Sequence, residues 1–397
     1  MGTRIRFCAA IGILGLFLLE VPVSAQTPTA TQTPTATPTP PPESGYFIRP
    51  IPLGVDGGSY DSWAEKRVGN SIYVGCSSGT LGVLVQEPKG TQFVTGCAHV
   101  MNLGTDGNAP ANSPILQPGD TFGGCSKDKD NEVAKLSVAV PLKTGSNAQN
   151  TVDAAMAKVL PGDVSSALYF IGNISSTTAT PVQDMTVEKV GAGTGYTTGS
   201  ISAVNMSATL EGYTSEPIIV NGKIYKSGNP TNFHFVGQTF ITTATPPFSG
   251  AGDSGALIVT GGSCPQSVGV IIGGDATTSV ANPISQVLAK LAQVGRYSSL
   301  SIVSGGSCRA AEPQITGNLS QAAEDTQSAE DVRQRHLPDM LKIPHVVNMG
   351  IEFRDSKIIF DVQVDKEANV EQVERMVPPK IEAYDVIVEP ELHGYLY

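Results

Sequence analysis

The 397-residue chain is only 15% charged, well under the roughly one quarter usual for a soluble domain. Its 43 glycines follow no Gly-X-Y period, which excludes a collagen-like fibre, and a net charge of −11 argues against a nucleic-acid binder, which needs a basic footprint. The charge is uneven: residues 309–397 hold 17 acidic and 9 basic side chains, against 19 and 16 over residues 1–308, so two differently composed pieces are expected.

At the N-terminus, Arg4 and Arg6 precede an apolar run from Phe7 to Leu19. That run is short of the about 20 residues a membrane-spanning helix needs. Small residues at Val23-Ser24-Ala25 follow it. This order predicts a signal peptide over residues 1–25, cleaved after Ala25, and a secreted, periplasmic or cell-envelope protein with no membrane attachment afterwards. Residues 26–45 repeat Thr-Pro and read as an extended, solvated linker. Cys8 leaves with the signal, and Cys76, Cys97, Cys125, Cys264 and Cys308 remain. Export permits disulfides, and the odd count leaves at least one thiol over. No C-x-x-C or H-E-x-x-H occurs, so neither a metal nor a cofactor is expected.

Residues 46–305 read as β structure. Runs such as Ser71–Val74, Leu81–Gln86, Phe93–Gly96, Phe233–Thr243, Ala256–Thr260 and Val268–Ile272 are rich in Val, Ile, Phe and Thr. Turn clusters at Gly104–Gly107 and Val220–Lys223 punctuate them. Helical spacing is clear only over Ile284–Ala292. Residues 306–328 are mostly small and polar and read as a second linker. Residues 329–397 then form a small acidic α+β module. Its expected elements are a helix over Glu330–Leu341, strands over Val346–Phe353 and Lys357–Val364 turning at Arg354–Ser356, a helix over Val370–Met376, and a last strand over Tyr384–Glu389.

The segment Ser249–Val259 contains Gly252-Asp253-Ser254-Gly255. By average composition that tetrapeptide arises by chance in about one chain of this length in a hundred. His99 ends an apolar strand in Phe93–Val100, and Asp153 opens another in Thr151–Val159. The order His–Asp–Ser leaves room for a barrel at each end of the set. Asp106 and Asp163 are rivals to Asp153, but both sit in turn sequences where Asp commonly supports the turn. His234, in a Thr/Asn/Phe strand, reads as structural or surface. Gly191–Gly195 lacks dinucleotide-loop spacing and reads as a hairpin turn.

These residues resemble the trypsin-like (chymotrypsin-fold) serine peptidases, and more closely a bacterial and plant branch that includes the NARROW LEAF-type proteins. The shared landmarks are Gly79–Gly82, Ala98–Val100, Pro114–Pro118, Val152–Ala155, Gly195–Gly199, Gly252–Gly255 and Ala281–Ile284. The resemblance implies two packed antiparallel β-barrels, with His99 and Asp153 from the first and Ser254 from the second. It also implies an oxyanion hole from the N–H groups of Gly252 and Ser254. The substrate pocket would have Phe248 at its base and Ile272, Gly273 and Gly274 along its wall. No Asp occupies that base, so a small or medium apolar side chain is expected at the cleavage point.

Two departures matter. Cys97 lies two residues before His99, where a Cys76–Cys97 bridge would tie the same strands. No Ile-Val-Gly-Gly follows the linker, so Asp253 is expected to hold its loop through local hydrogen bonds rather than through a freed N-terminus. The expected function is a secreted serine endopeptidase acting on peptide or protein substrates. The alternatives are a silent protease-fold binding protein, or an enzyme restrained by its C-terminal module, which would bind a protein partner or its own peptidase domain.

Overall fold

A computed structural model describes residues 45–397, apart from 63, 69–70, 105–106, 120–127, 146–147, 214–216, 221–222, 227–229, 306–316 and 356. The expected signal peptide, nearly all of the Thr-Pro linker, Cys125, Cys308, Asp106 and parts of the turns at 104–107, 220–223 and 354–356 lie outside the described residues. Among those described, no helix is long and apolar enough to cross a membrane.

The first curled sheet contains β1 (Asp56–Ser59), β2 (Gly79–Thr80), β3 (Leu84–Gln86) and β4 (Gln92–Gly96), then a one-turn helix α1 (Ala98–Met101). The strands β5 (Pro114–Leu116), β6 (Glu132–Ala139) and β7 (Ala155–Val159) complete it. Their spatial order is β3-β4-β7-β6-β5-β1-β2, with Ser301–Ile302 added outside β3. Because β2 runs directly into β3, the sheet bends back on itself. Leu81 N–H donates to Val55 O (2.9 Å) and Gly82 N–H to Thr95 O (2.8 Å) across the bend. In β6, buried Leu136 and Val138 alternate with exposed Lys135 and Ser137, the period of a strand with one face on a core.

The second sheet is closed. Strands β8 (Thr186–Lys189), β9 (Thr197–Tyr213), β10 (Pro230–Thr242), β11 (Leu257–Thr260), β12 (Ser267–Gly274) and β13 (Ser279–Pro283) form an antiparallel ring. Its order is β8-β11-β12-β13-β10-β9, and β9 pairs back to β8. The Gly191–Gly195 turn joins β8 to β9 as a hairpin, with reciprocal bonds between Gly191 and Gly195 (3.3 and 2.9 Å). Helix α2 (Ile284–Gly295) follows β13 and buries Ile284, Val287 and Leu291 along one stripe.

The C-terminal residues add α3 (Gly317–Met340), β14 (Val346–Arg354), β15 (Lys357–Val364), α4 (Val370–Glu374), β16 (Lys380–Ile381), β17 (Tyr384–Pro390) and β18 (Leu392–Leu396). Helix α3 begins within the stretch expected as linker, because its Ala, Gln and Glu residues are strong helix formers. Strand β9 is 17 residues long and overruns the ring. Its Ala203 and Val204 pair with Glu352 and Ile351 of β14, so the sheet continues through β14, β15, β17 and β16. Met349, Phe360 and Val362 share one buried cluster with Val187, Phe248 and Ile258 of the ring. Strand β18, not foreseen as a strand, runs parallel to β9 at Ala208–Glu211 and antiparallel to β12 at Gly273 and Gly274. The fold is therefore mainly β: two packed antiparallel barrels, the first a curled sheet and the second a closed ring, with a small C-terminal α+β part.

Candidate active site

The pairing of β4 with β7 sets Gly96 opposite Ala155. The chain leaving β4 and the chain entering β7 thus lie at the same end of the first barrel. His99 stands on α1, just past that end, and Asp153 two residues before β7. The Asp153 side chain is fully buried. Its Oδ1 accepts from the N–H groups of Ala98 (2.6 Å) and His99 (3.2 Å), while Oδ2 is hydrogen-bonded to His99 Nδ1. Asn282 of β13 clamps the Asp153 backbone: Nδ2 donates to Asp153 O (2.9 Å) and Oδ1 accepts from Asp153 N–H (3.3 Å). Burial by itself pulls the His99 pKa down. The charge and hydrogen bond of Asp153, with the nearby Tyr397 carbonyl, outweigh it and hold the imidazole above its ordinary value.

Ser254 lies between β10 and β11 and is fully buried. Its Oγ donates to Ile272 O (3.2 Å). Gly252 has φ +96, a conformation that a residue with a Cβ adopts only under strain. Among the described residues, the N–H groups of Gly252 and Ser254 donate to no atom of the chain. Such paired donors are suited to an oxyanion. The loop is anchored from both barrels. Thr80 N–H donates to Ser254 O (2.7 Å), and Thr80 Oγ1 donates to Gly252 O (2.8 Å).

Asp253 is the second anchor. Its fully buried carboxylate accepts from the N–H groups of Gly193 (2.9 Å), Thr194 (3.2 Å) and Gly250 (2.9 Å) and from Thr194 Oγ1 (2.6 Å). Lys189 Nζ, also fully buried, lies 3.2 Å from Asp253 Oδ2. The local bonds expected of Asp253 are present, but the cation beside it was not foreseen. A signal existed: Lys189 shares the inward face of β8 with Val187, two residues earlier.

Of the residues expected to form the pocket, Ile272, Gly273 and Gly274 lie at one end of β12. Phe248 is buried, with its carbonyl accepting from Thr197 Oγ1 (2.7 Å) and Lys189 Nζ 5.8 Å from its ring centre. Gly273 and Gly274 close β12, where β18 pairs with them. Tyr397 follows β18: its N–H donates to Ile272 O (3.3 Å), and its carbonyl oxygen lies 3.0 Å from His99 Nε2. One residue therefore spans from the imidazole to the carbonyl that also holds the Ser254 hydroxyl.

The rival and bland residues fall elsewhere. Asp163 is ion-paired to Arg49 (2.8 Å), and His234 pairs with Glu391 (2.9 Å). Cys97 corrects the suggested Cys76–Cys97 bridge. It is a buried free thiol, turned inward so that Sγ donates to Ile271 O (3.2 Å).

No family model matches the chain, and no curated protein matches it. Solved structures similar to it include Thermobifida fusca Protease A, at 17% identity and a TM-score of 0.38, covering 64% of this chain and 99% of that one. A glutamic acid specific serine protease has 15% identity and a TM-score of 0.38, over 64% of this chain and 100% of its own. Nocardiopsis Protease has 16% identity and a TM-score of 0.36, over 57% and 93%.

Proposed function

We propose that the chain is an exported serine endopeptidase, related to the branch that includes the NARROW LEAF-type proteins, with His99, Asp153 and Ser254 as its triad. The observation that carries this is the buried Asp153–His99 pair, with a Ser254 loop whose two N–H groups find no acceptor among the described residues. In the reaction, Ser254 Oγ turns from Ile272 O and attacks the scissile carbonyl carbon, passing its proton to His99 Nε2. Asp153 fixes the ring so that Nδ1 carries the other proton, and its charge steadies the imidazolium. The oxyanion binds the Gly252 and Ser254 N–H groups, each donor worth about 3–4 kcal/mol. The C–N bond then breaks, Nε2 protonates the leaving amine, and water, activated by the same imidazole, hydrolyses the acyl-enzyme.

Export belongs to this reading. With Cys97 free, the mature chain keeps four other cysteines, an even number for disulfide pairing. The silent binding protein is favoured by one feature, the Ser254 hydroxyl engaged with Ile272 O. A fluorophosphonate probe separates the two readings. Labelling is expected in wild type and absent from Ser254→Ala. No Ser254-dependent labelling, with residues 392–397 present or removed, would reject the enzyme.

A further inference from the structure

Resting on that reading, we propose that Leu392–Tyr397 is a built-in, substrate-like occupant of the cleft, which silences the site and reveals a preference for cleavage after tyrosine. The segment lies as an extended peptide would. It pairs antiparallel with β12, Leu396 opposite Gly273 and Tyr395 opposite Gly274, and Tyr397 N–H continues the ladder to Ile272 O. This is strand addition to a sheet edge, in which backbone bonds supply affinity and side-chain pockets supply specificity.

The cleft is shaped for this approach. A Cβ on Gly273 would stand 2.1 Å from Tyr395 O, and one on Gly394 would stand 2.3 Å from Gly274 O. Neither distance is possible between real atoms, so glycine on both sides of the contact lets the two backbones meet. On its other edge, β18 runs beside β9 from Ala208 to Glu211. Leu392 and Leu396 pack on the larger buried cluster.

The Tyr397 side chain lies beside Gly274 and next to Ser249, the residue after Phe248. It packs against the cluster containing Phe248, and a Cβ on Gly274 would fall 2.8 Å from its hydroxyl. That hydroxyl donates to Asp275 O (3.0 Å). Ser249 also hydrogen-bonds it, while burial pushes the phenol up to about 12, so it stays a neutral donor. The pocket thus combines apolar walls with a polar far end. A site built to bond a hydroxyl discriminates against an analogue lacking it, because its polar groups are then left unpaired.

The same segment explains the resting position of the nucleophile. The Tyr397 carbonyl occupies His99 Nε2, and Ser254 Oγ is bonded to Ile272 O, the acceptor that Tyr397 N–H also uses. The base is engaged by the occupant rather than by the hydroxyl it should deprotonate.

The test compares the full chain with Tyr397→Ala and with a chain ending at Glu391, each checked for cooperative thermal unfolding. Fluorophosphonate labelling of Ser254 is expected to be at least about tenfold faster in both variants, and the peptide Leu-His-Gly-Tyr-Leu-Tyr added in trans should slow it again. A peptide-library digest by the variants should show cleavage after Tyr, with Phe weaker and Ala, Glu and Lys poor. Equal labelling rates in all three chains would overturn the occupant. Faster labelling with cleavage after residues other than Tyr or Phe would overturn the specificity. If no form labels at Ser254, the peptidase reading itself fails and takes the inference with it. Should the shortened chain not fold, Tyr397→Ala alone decides, because it removes the side chain that anchors the Tyr397 carbonyl against His99 while keeping the pairing of β18 with β9.

Discussion

Two buried aspartates stand on either side of the site and are put to opposite uses. Asp153 and Asp253 are both fully inaccessible, both accept from two or more backbone N–H groups, and both face one basic side chain. The Asp153 partner is His99, whose other nitrogen reaches the cleft and whose charge changes near neutral pH. The Asp253 partner is Lys189, buried with its ammonium spent on Asp253, Thr194 Oγ1 (2.7 Å) and Gly195 O (2.9 Å). A carboxylate paired with an imidazole can serve a proton transfer. A carboxylate locked to a buried ammonium can only hold a shape, and here the shape is that of the Gly252–Ser254 loop. The proposed reaction needs both, for different reasons.

The comparison breaks most sharply at the carboxylates. Asp153→Asn keeps the side-chain volume but offers an amide to the His99 ring and favours the wrong tautomer. In the Tyr397→Ala background, kcat on a Tyr-containing peptide should fall on the order of 10⁴-fold, with KM little changed. Steady-state kinetics on both chains checks this. If the fall were under tenfold, Asp153 would not be orienting the base.

Lys189→Met tests the other carboxylate. Removing the ammonium leaves Asp253 charged and buried, a loss of about 3–5 kcal/mol. Urea unfolding should therefore show a clear drop in midpoint. The double variant Lys189→Met/Asp253→Asn should lose less than the sum of its single changes, since no orphan charge remains. A single variant as stable as wild type would mean that the ion pair does not hold the loop. Labelling of Ser254 should weaken along with stability, because the proposed oxyanion donors sit on the loop that Asp253 braces.

The contrast also shows what the sequence could reveal. The barrels were legible because strands with one buried face repeat every two residues and glycine turns punctuate them. His99, Asp153 and Ser254 could be named as candidates because each sits in a short local motif. Lys189 could not, since its meaning depends on Asp253, which only the closing of the second barrel brings near. Asn282 stood within a landmark, yet its clamp on Asp153 crosses from one barrel to the other. Strand β18 alternates weakly, and its partners at Ala208 and Gly273 lie far away in the chain. Cys97 misled by its position beside the histidine, because a side chain's direction is set by packing rather than by sequence distance.

The smallest expected effect is one of pH, and it distinguishes the titratable pair from the fixed one. The groups facing His99 are Asp153, the Tyr397 carbonyl and Cys97, whose thiol is held neutral by burial. With Nδ1–H given to Asp153, Nε2 donates to Tyr397 O only when the ring is an imidazolium. The folded pKa is raised above 6.5, so the stabilising contact is fully present below the unfolded value and is lost as pH rises through the folded one. Deprotonation turns Nε2 into an acceptor facing a carbonyl oxygen and at the same time creates the base that the proposed reaction needs. In the full chain, Ser254 labelling should therefore rise across that interval. In a chain ending at Glu391, one of the groups that raises the pKa is gone, so the rise should begin at lower pH. Labelling rates measured from pH 5 to 9 in both chains would show the displacement. Coincident profiles would mean that Tyr397 does not touch the working form of His99, whereas Lys189→Met, acting on the fixed pair, should leave the midpoint of the rise where it was.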